Sequence, residues 1–232
     1  MSRFDFRGML WPKWIKKRWL NAGGFPQGTS EPAVGQLLYA LAIARRARVI
    51  VETGLMKAGG STPWLAWAAQ EVGALHVAVD VDKHACEDAI QMVKSRGWLI
   101  QRGQIVGTTV LHADAIVAAG MFADEAIDFL FIDDNHETDH VRREIEAFLP
   151  KMHPGGAMFF HDVIGTGNDF QIWDLIQPYG GIRLANHTYN YPENQPAGGL
   201  GMISVHDVDR NGLYNVPPVP IAWGATEWQY SS

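Results

Sequence analysis

The sequence predicts an α/β fold built on a parallel sheet with helices on both faces. Three observations carry that reading. From residue 30 onward short apolar runs alternate with stretches of helical periodicity. The runs, such as VIVET and AIDFLFI, are nearly continuous in apolar residues, as in strands buried on both faces. Every identifiable run also stops at an acid, and in such sheets ligands bind outside the carboxyl ends of the strands.

Element by element, Ser30, Glu31 and Pro32 make a helix start, Leu37, Leu38 and Leu41 continue it, and Arg45, Arg46 and Arg48 suit its C-terminus. VIVET is the first strand and feeds a glycine-rich turn and a helix in GLMKAGGSTPWLAWAAQ, where Trp64 and Trp67 read as core residues. LHVAVD is the second strand, DKHACEDAIQMVKSRG the next helix, ending at Gly97, and a weaker strand lies within residues 105–112. AIDFLFI follows, then the helix TDHVRREIEAFLPKM, a turn at Pro154, Gly155 and Gly156, and the strand GGAMFFHD.

Composition bounds the function. A chain of 232 residues with 47% hydrophobic content suits one main domain. The formal charge of −6 argues against nucleic acid as a partner. A single cysteine, Cys86, excludes an internal disulfide and favours a reducing compartment. No run approaches the roughly 18 apolar residues of a membrane span, and no signal-peptide core opens the chain, so a soluble, cytoplasmic protein is expected. Residues 3–20 nevertheless hold six Lys or Arg against one Asp, with Trp11, Trp14, Ile15 and Trp19 at helical spacing. That pattern suits a packing helix, a lid, or a helix in peripheral contact with a membrane surface. The expected division is a basic aromatic segment at 1–29, a main domain at 30–206 and a C-terminal extension at 207–232.

The strand ends list the candidate site: Glu52, Thr53 and Gly54; Asp80 and Asp82; Asp114; Asp133 to His136; His161 and Asp162. Asp82 and Asp162 also suit helix caps. Gly59, Gly60, Ser61 and Thr62 opening a helix let a ligand approach the backbone at a helix N-terminus, and an acid ending the next strand is placed for a ribose diol. The dinucleotide fingerprint is absent, since Met56 stands where its second glycine belongs. Glu52 suits a cationic ligand better than a pyrophosphate.

The series VIVETGLMKAGGST, VAVDVD, LHADA, FLFIDDNHETDHVRREIEAFLPKMHPGGAMFFHD and GLGMISVH resembles the class I S-adenosylmethionine-dependent methyltransferases across residues 32–206. Within them it most resembles the small-molecule O-methyltransferases of the cephalosporin, macrolide and rhamnosyl O-methyltransferase group. The resemblance implies a Rossmann-like, seven-stranded, mostly parallel sheet whose C-terminal antiparallel hairpin comes from GIRLANHTY and GLGMISVH. It implies that Glu52, Gly54, Gly59, Gly60 and Ser61 hold the methionine part of S-adenosyl-L-methionine, Asp80 the ribose and Asp114 the adenine amino group. Asp133 and Asp162, helped by His161, would ligate a divalent cation such as Mg²⁺, with His136 as general base. The implied reaction methylates a hydroxyl of a small-molecule acceptor such as a sugar, polyketide or diol. Two departures stand out: four residues separate Gly54 from Gly59 where most relatives have three, and His161-Asp162 replaces the Glu-Asp or Asp-Asn of many metal-dependent relatives.

Other readings stay open: a metal-independent methyltransferase, a non-catalytic adenosylmethionine-binding protein, and a metallophosphoesterase. The last rests on Asn135 to Glu137 with His161-Asp162, but lacks upstream Asp-x-His and Gly-Asp signatures. Tyr189, Asn190, Tyr191 and Asn194 are positioned by the hairpin to line an acceptor pocket. His140 reads as a solvent-facing residue at a helix start and His153 as a turn residue, so neither is given a role. Assembly into a homo-oligomer is left open.

Overall fold

A computed structural model of the chain describes residues 32–55, 60–101, 105–164, 172–190 and 196–205. The basic aromatic segment at 3–20, Gly59, Tyr191, Asn194, the side chains of Tyr189 and Asn190, and the C-terminal extension lie outside the described residues.

The apolar runs become strands β1 (Val49–Thr53), β2 (Leu75–Asp80), β3 (Gly107–His112), β4 (Ile127–Ile132), β5 (Met152–Ile164), β6 (Ile182–Asn190) and β7 (Pro196–Ser204). They pair in the order β3-β2-β1-β4-β5-β7-β6. The first five are parallel and β7 runs antiparallel to both β5 and β6. Helices α1 (Pro32–Ala44), α2 (Thr62–Val72), α3 (Lys83–Ser95), α4 (Ala115–Ala119), α5 (Thr138–Phe148) and α6 (Ile172–Ile176) provide the connections. Strand order reverses between β1 and β4, which places the switch point, and the crevice beyond it, at the ends of those two strands.

Alternation along the strands divides the core. Val49 and Val51 of β1, Leu130 and Ile132 of β4, and Met158 and Phe160 of β5 join Val141, Ile145 and Phe148 of α5 on one face. Ile50, Phe129, Phe131, Ala157 and Phe159 join Leu38 of α1 and Leu65 of α2 on the other, with Phe129 and Phe159 stacked at 4.3 Å between centroids. Trp64 and Trp67 are buried as expected. A smaller cluster packs Ala85, Cys86 and Ala89 of α3 on Leu55 and Ala78. Among the described residues no helix is long and apolar enough to cross a membrane.

One local expectation changes. Pro154, Gly155 and Gly156 lie inside β5 and not in a turn before it. Ile127 pairs with Met152 and Phe129 with Ala157, so the four residues 153–156 face the single residue Asp128. Gly155 takes φ +87°, and a Cβ on Gly156 would stand 3.1 Å from the Asp128 carbonyl. Asp128 in turn accepts hydrogen bonds from the amides of Arg48 (2.8 Å) and Val49 (3.0 Å), fixing where β1 begins.

Candidate active site

The ends of β1, β2 and β4 are pinned through Gly54. Its amide donates to the Val79 carbonyl (2.9 Å), and the Asp133 amide donates to Thr53 (2.9 Å). Gly54 has φ +82°, and a Cβ there would lie 2.2 Å from the Asp133 carbonyl oxygen, so both conformation and space demand glycine. Glu52, one residue before Thr53, has no exposed surface. It accepts a hydrogen bond from the Ser61 hydroxyl and faces His76 Nε2 at 3.4 Å. Ser61 therefore gives its side chain to Glu52 and makes no capping bond to α2, whose N-terminus faces the loop that carries Gly60.

The acids of β2 and β3 are held by backbone. Asp80 accepts from the Leu55 amide on one oxygen and from the Asp82 amide on the other, each at 2.7 Å. Asp82 caps α3 through the His84 amide (2.8 Å). Asp114 is exposed and caps α4 through the amides of Ile116 (2.9 Å) and Val117 (3.1 Å). The capping role foreseen for Asp82 is present, whereas Asp162 lies inside β5 and caps no helix among the described residues.

Asp162 instead takes φ +49°, a left-handed conformation for a non-glycine residue, at an irregularity where His161 pairs with Leu200 and Ile164 with Gly198. Successive residues of a regular strand point to opposite faces. The bulge re-aims Asp162 so that it shares a site with His161. His161 Nδ1 lies 3.0 Å from Asp133 Oδ1 and 3.5 Å from Asp162 Oδ1. His136, in the turn after β4, places Nε2 3.6 Å from Asp133 Oδ1 and 3.6 Å from Asp162 Oδ2. Both acids and His161 are buried, and among the described residues Asp162 Oδ1 has no hydrogen-bond partner. Asp133, His136 and His161 each offer one ligand atom within 4.8 Å of the others.

Electrostatics follow from that crowding. Burial pushes the Asp133 carboxyl up, but the charge of His161 and the hydrogen bonds of His136 and His161 outweigh it and hold the carboxyl below its ordinary value. Burial works against a charged His136, yet the hydrogen bond and charge of Asp133, with Asp162 behind it, raise its pKa above the ordinary 6.5.

Sequence reasoning passed over His76 and Glu144, included Asp134 only within the run Asp133 to His136, and read His140 as solvent-facing, whereas its side chain is largely covered and lies 3.1 Å from Asp134 Oδ2. His76 lies within an apolar strand and is the inner partner of Glu52. Asp134, His140 and Glu144 form a second group offering one ligand atom each within 4.8 Å. The four-residue spacing of His140 and Glu144 on a helix was the available signal, and the burial of Glu144 was not visible in it.

Residues 51–163 match a family model described as a methyltransferase domain. The fold is similar to that of an O-methyltransferase from Bacillus cereus in complex with SAH, at 16% identity, TM-score 0.58, covering 85% of this chain and 94% of that one. It is also similar to TomG from Streptomyces achromogenes, an O-methyltransferase involved in tomaymycin synthesis and seen with SAM, at 17% identity, TM-score 0.61, covering 87% and 94%. A SAM-dependent O-methyltransferase from Thermotoga maritima aligns at 14% identity, TM-score 0.55, covering 80% of this chain and 69% of the other. No curated protein sequence matches the chain. Residues 51–163 thus match a methyltransferase domain, and the chain has the fold of the class I methyltransferases.

Proposed function

We propose that the chain methylates a hydroxyl oxygen of a small molecule, using S-adenosylmethionine, a divalent cation at Asp133, Asp162 and His161, and His136 as the base. The observation that carries this reading is the position of His136, equidistant at 3.6 Å from a carboxylate oxygen of Asp133 and one of Asp162, at the ends of two core strands. The O-methyltransferases whose fold it shares, two of them seen with SAH or SAM, support the cofactor.

The cofactor-binding residues fit such a group. Each Asp80 oxygen accepts one backbone amide and keeps a lone pair, so the carboxylate has an acceptor ready for each hydroxyl of a ribose diol. Gly54, Gly59, Gly60 and Ser61 would border the methionine part, and Glu52 would serve by fixing Ser61 in place. Asp114 is exposed beside the end of β3, open to an adenine amino group. Bound adenosylmethionine supplies a methyl already activated on a sulfonium sulfur.

The donor set around Asp133 fits a cation: two buried carboxylates, an imidazole, and a buried Asp162 oxygen without a hydrogen bond. A cation held there would lower the pKa of a coordinated hydroxyl. His136 would accept the hydroxyl proton at Nε2. Asp133 and Asp162 then stabilise the charged ring.

A second reading dispenses with the cation, favoured by the direct contact of His161 Nδ1 with Asp133 at 3.0 Å. Calorimetry with adenosylmethionine, adenosylhomocysteine and NAD tests the cofactor, and labelled methyl transfer to a panel of hydroxylated compounds with and without EDTA tests the rest. Binding of NAD alone would overturn the assignment. Full turnover in EDTA would select the second reading.

A further inference from the structure

We propose that Asp134, His140 and Glu144 form a separate site for one divalent transition-metal ion of the Mn²⁺, Co²⁺ or Zn²⁺ kind, beneath the turn that carries Asp133 and His136. The donors come from two elements. Asp134 follows β4, while His140 and Glu144 lie one turn apart on α5 and so share a helix face. His140 Nε2 stands 3.1 Å from Asp134 Oδ2 and 3.8 Å from Glu144 Oε2. Ligand atoms about 2.1 Å from a common ion stand about 3.0–3.4 Å apart in octahedral or tetrahedral geometry, so the group needs only small adjustments to close on one.

The state of Glu144 is the independent sign of a cation site. It is fully buried, and among the described residues neither carboxylate oxygen meets a well-aligned hydrogen-bond partner, the polar side chains beside it being Thr53 and Asp134. Asp134 Oδ1 is likewise buried without one. Two acids face each other there, with His140 Nε2 between them. Buried carboxylates normally find donors, a counter-charge or a metal. Arg143 does not relieve them, because its Nη2 lies against His140 Nδ1 at 3.4 Å. One imidazole with two carboxylates is a mixed nitrogen and oxygen set, better matched to Mn²⁺, Co²⁺ or Zn²⁺ than to Mg²⁺.

Location gives the ion a task. Asp134 is bonded in sequence to Asp133, the Thr53 hydroxyl lies beside Glu144, and Thr53 accepts the Asp133 amide. An ion at this site would tie α5 to the ends of β1 and β4 and hold the turn that aims Asp133 and His136.

Cobalt is the probe, since its visible absorption reports nitrogen and oxygen ligation without any turnover. Equilibrium dialysis of the full chain against Co²⁺, with metal analysis and spectra, is compared for wild type, His140→Gln, Glu144→Gln, and the pair Asp133→Asn with His161→Gln. His140→Gln and Glu144→Gln should each lose one ion per chain relative to wild type, and the Asp133/His161 pair should retain that ion and its spectrum. Because the pair removes the other proposed cation site, failure there is distinguishable from failure here. Circular dichroism establishes that each variant is folded, and His140, more exposed than the fully buried Glu144, provides the variant less coupled to folding. Unchanged Co²⁺ stoichiometry in folded His140→Gln, or loss of all Co²⁺ in the Asp133/His161 pair, would overturn the proposal.

Discussion

The acids at the ends of β2 and β3 and those at the ends of β4 and β5 are alike in residue type and share one sheet edge, but they differ in what holds them. Asp80, Asp82 and Asp114 accept backbone amides. Asp133 and Asp162 face His136 and His161 in the interior. Amide-bound carboxylates near solvent are fixed in direction and have lone pairs left for neutral hydroxyl and amino groups. Buried carboxylates that meet imidazoles balance charge against charge, an arrangement suited to a cation or a moving proton. Under the proposed function, that difference would give recognition to one half of the edge and chemistry to the other.

The largest effect should come from breaking the charged half. His136→Ala should lower kcat by about 10²- to 10⁴-fold, the usual contribution of a positioned base, with cofactor affinity nearly intact by calorimetry. Asp133→Ala should abolish turnover together with its metal dependence, and EDTA on the wild type should mimic it. A His136→Ala variant with unaltered kcat would dissolve the distinction between the two halves.

How much of this was legible in the sequence depended on length and continuity. The near-continuous apolar runs of β1, β2 and β4 announced themselves, and the antiparallel hairpin came with the family resemblance. β3, GTTVLH, was weak because threonines dilute its apolar signal. The five-residue helices α4 and α6 are too short to show a period. Pro154-Gly155-Gly156 carries the composition of a turn, and only pairing with β4 shows that it is a bulge. Asp133, His136 and His161 were readable because they break a strand end. His140 and Glu144 were not, since on an amphipathic helix such residues ordinarily face water, and the burial of Glu144 is purely tertiary.

The two halves meet at Gly54, whose amide bonds to β2 while its Cα packs on the Asp133 backbone. Gly54→Ala should destabilise the chain by about 2–4 kcal/mol, combining left-handed strain with overpacking against backbone that has no room to move. Thermal or urea unfolding would measure it. Cofactor binding and turnover should fall together in this variant, unlike in those confined to one half.

Asp80→Ala should act on recognition alone. Adenosylhomocysteine affinity should weaken by about 1.5–3 kcal/mol, the range for hydrogen bonds to a charged group. kcat at saturating cofactor should change much less than in His136→Ala. A drop in kcat with unchanged affinity would reverse the roles given to the two halves.

The smallest effect reads the uncompensated charge of the recognition half directly. Cys86 Sγ lies 3.5 Å from the Asp80 carbonyl and 3.6 Å from that of Leu111. Its thiol is pushed up to about 11 from 9.0, first by burial and then by the charge of Asp80, with Asp82 and Glu87 adding to it and a backbone hydrogen bond opposing it. With the pKa raised on folding, the thiol's contribution to stability is fully present below pH 9 and is lost as pH rises through about 11, because the unfolded chain ionises first. Wild type should therefore lose slightly more thermal stability than Cys86→Ala between pH 9 and 11. Asp80→Asn should lower the thiol pKa, read from thiolate ultraviolet absorbance, because it removes the nearest negative charge. Asp133→Asn should leave it in place, since the histidines around Asp133 already balance that carboxylate. Equal shifts in the two variants would mean that both halves of the edge share one field, and that the division between them is not electrostatic.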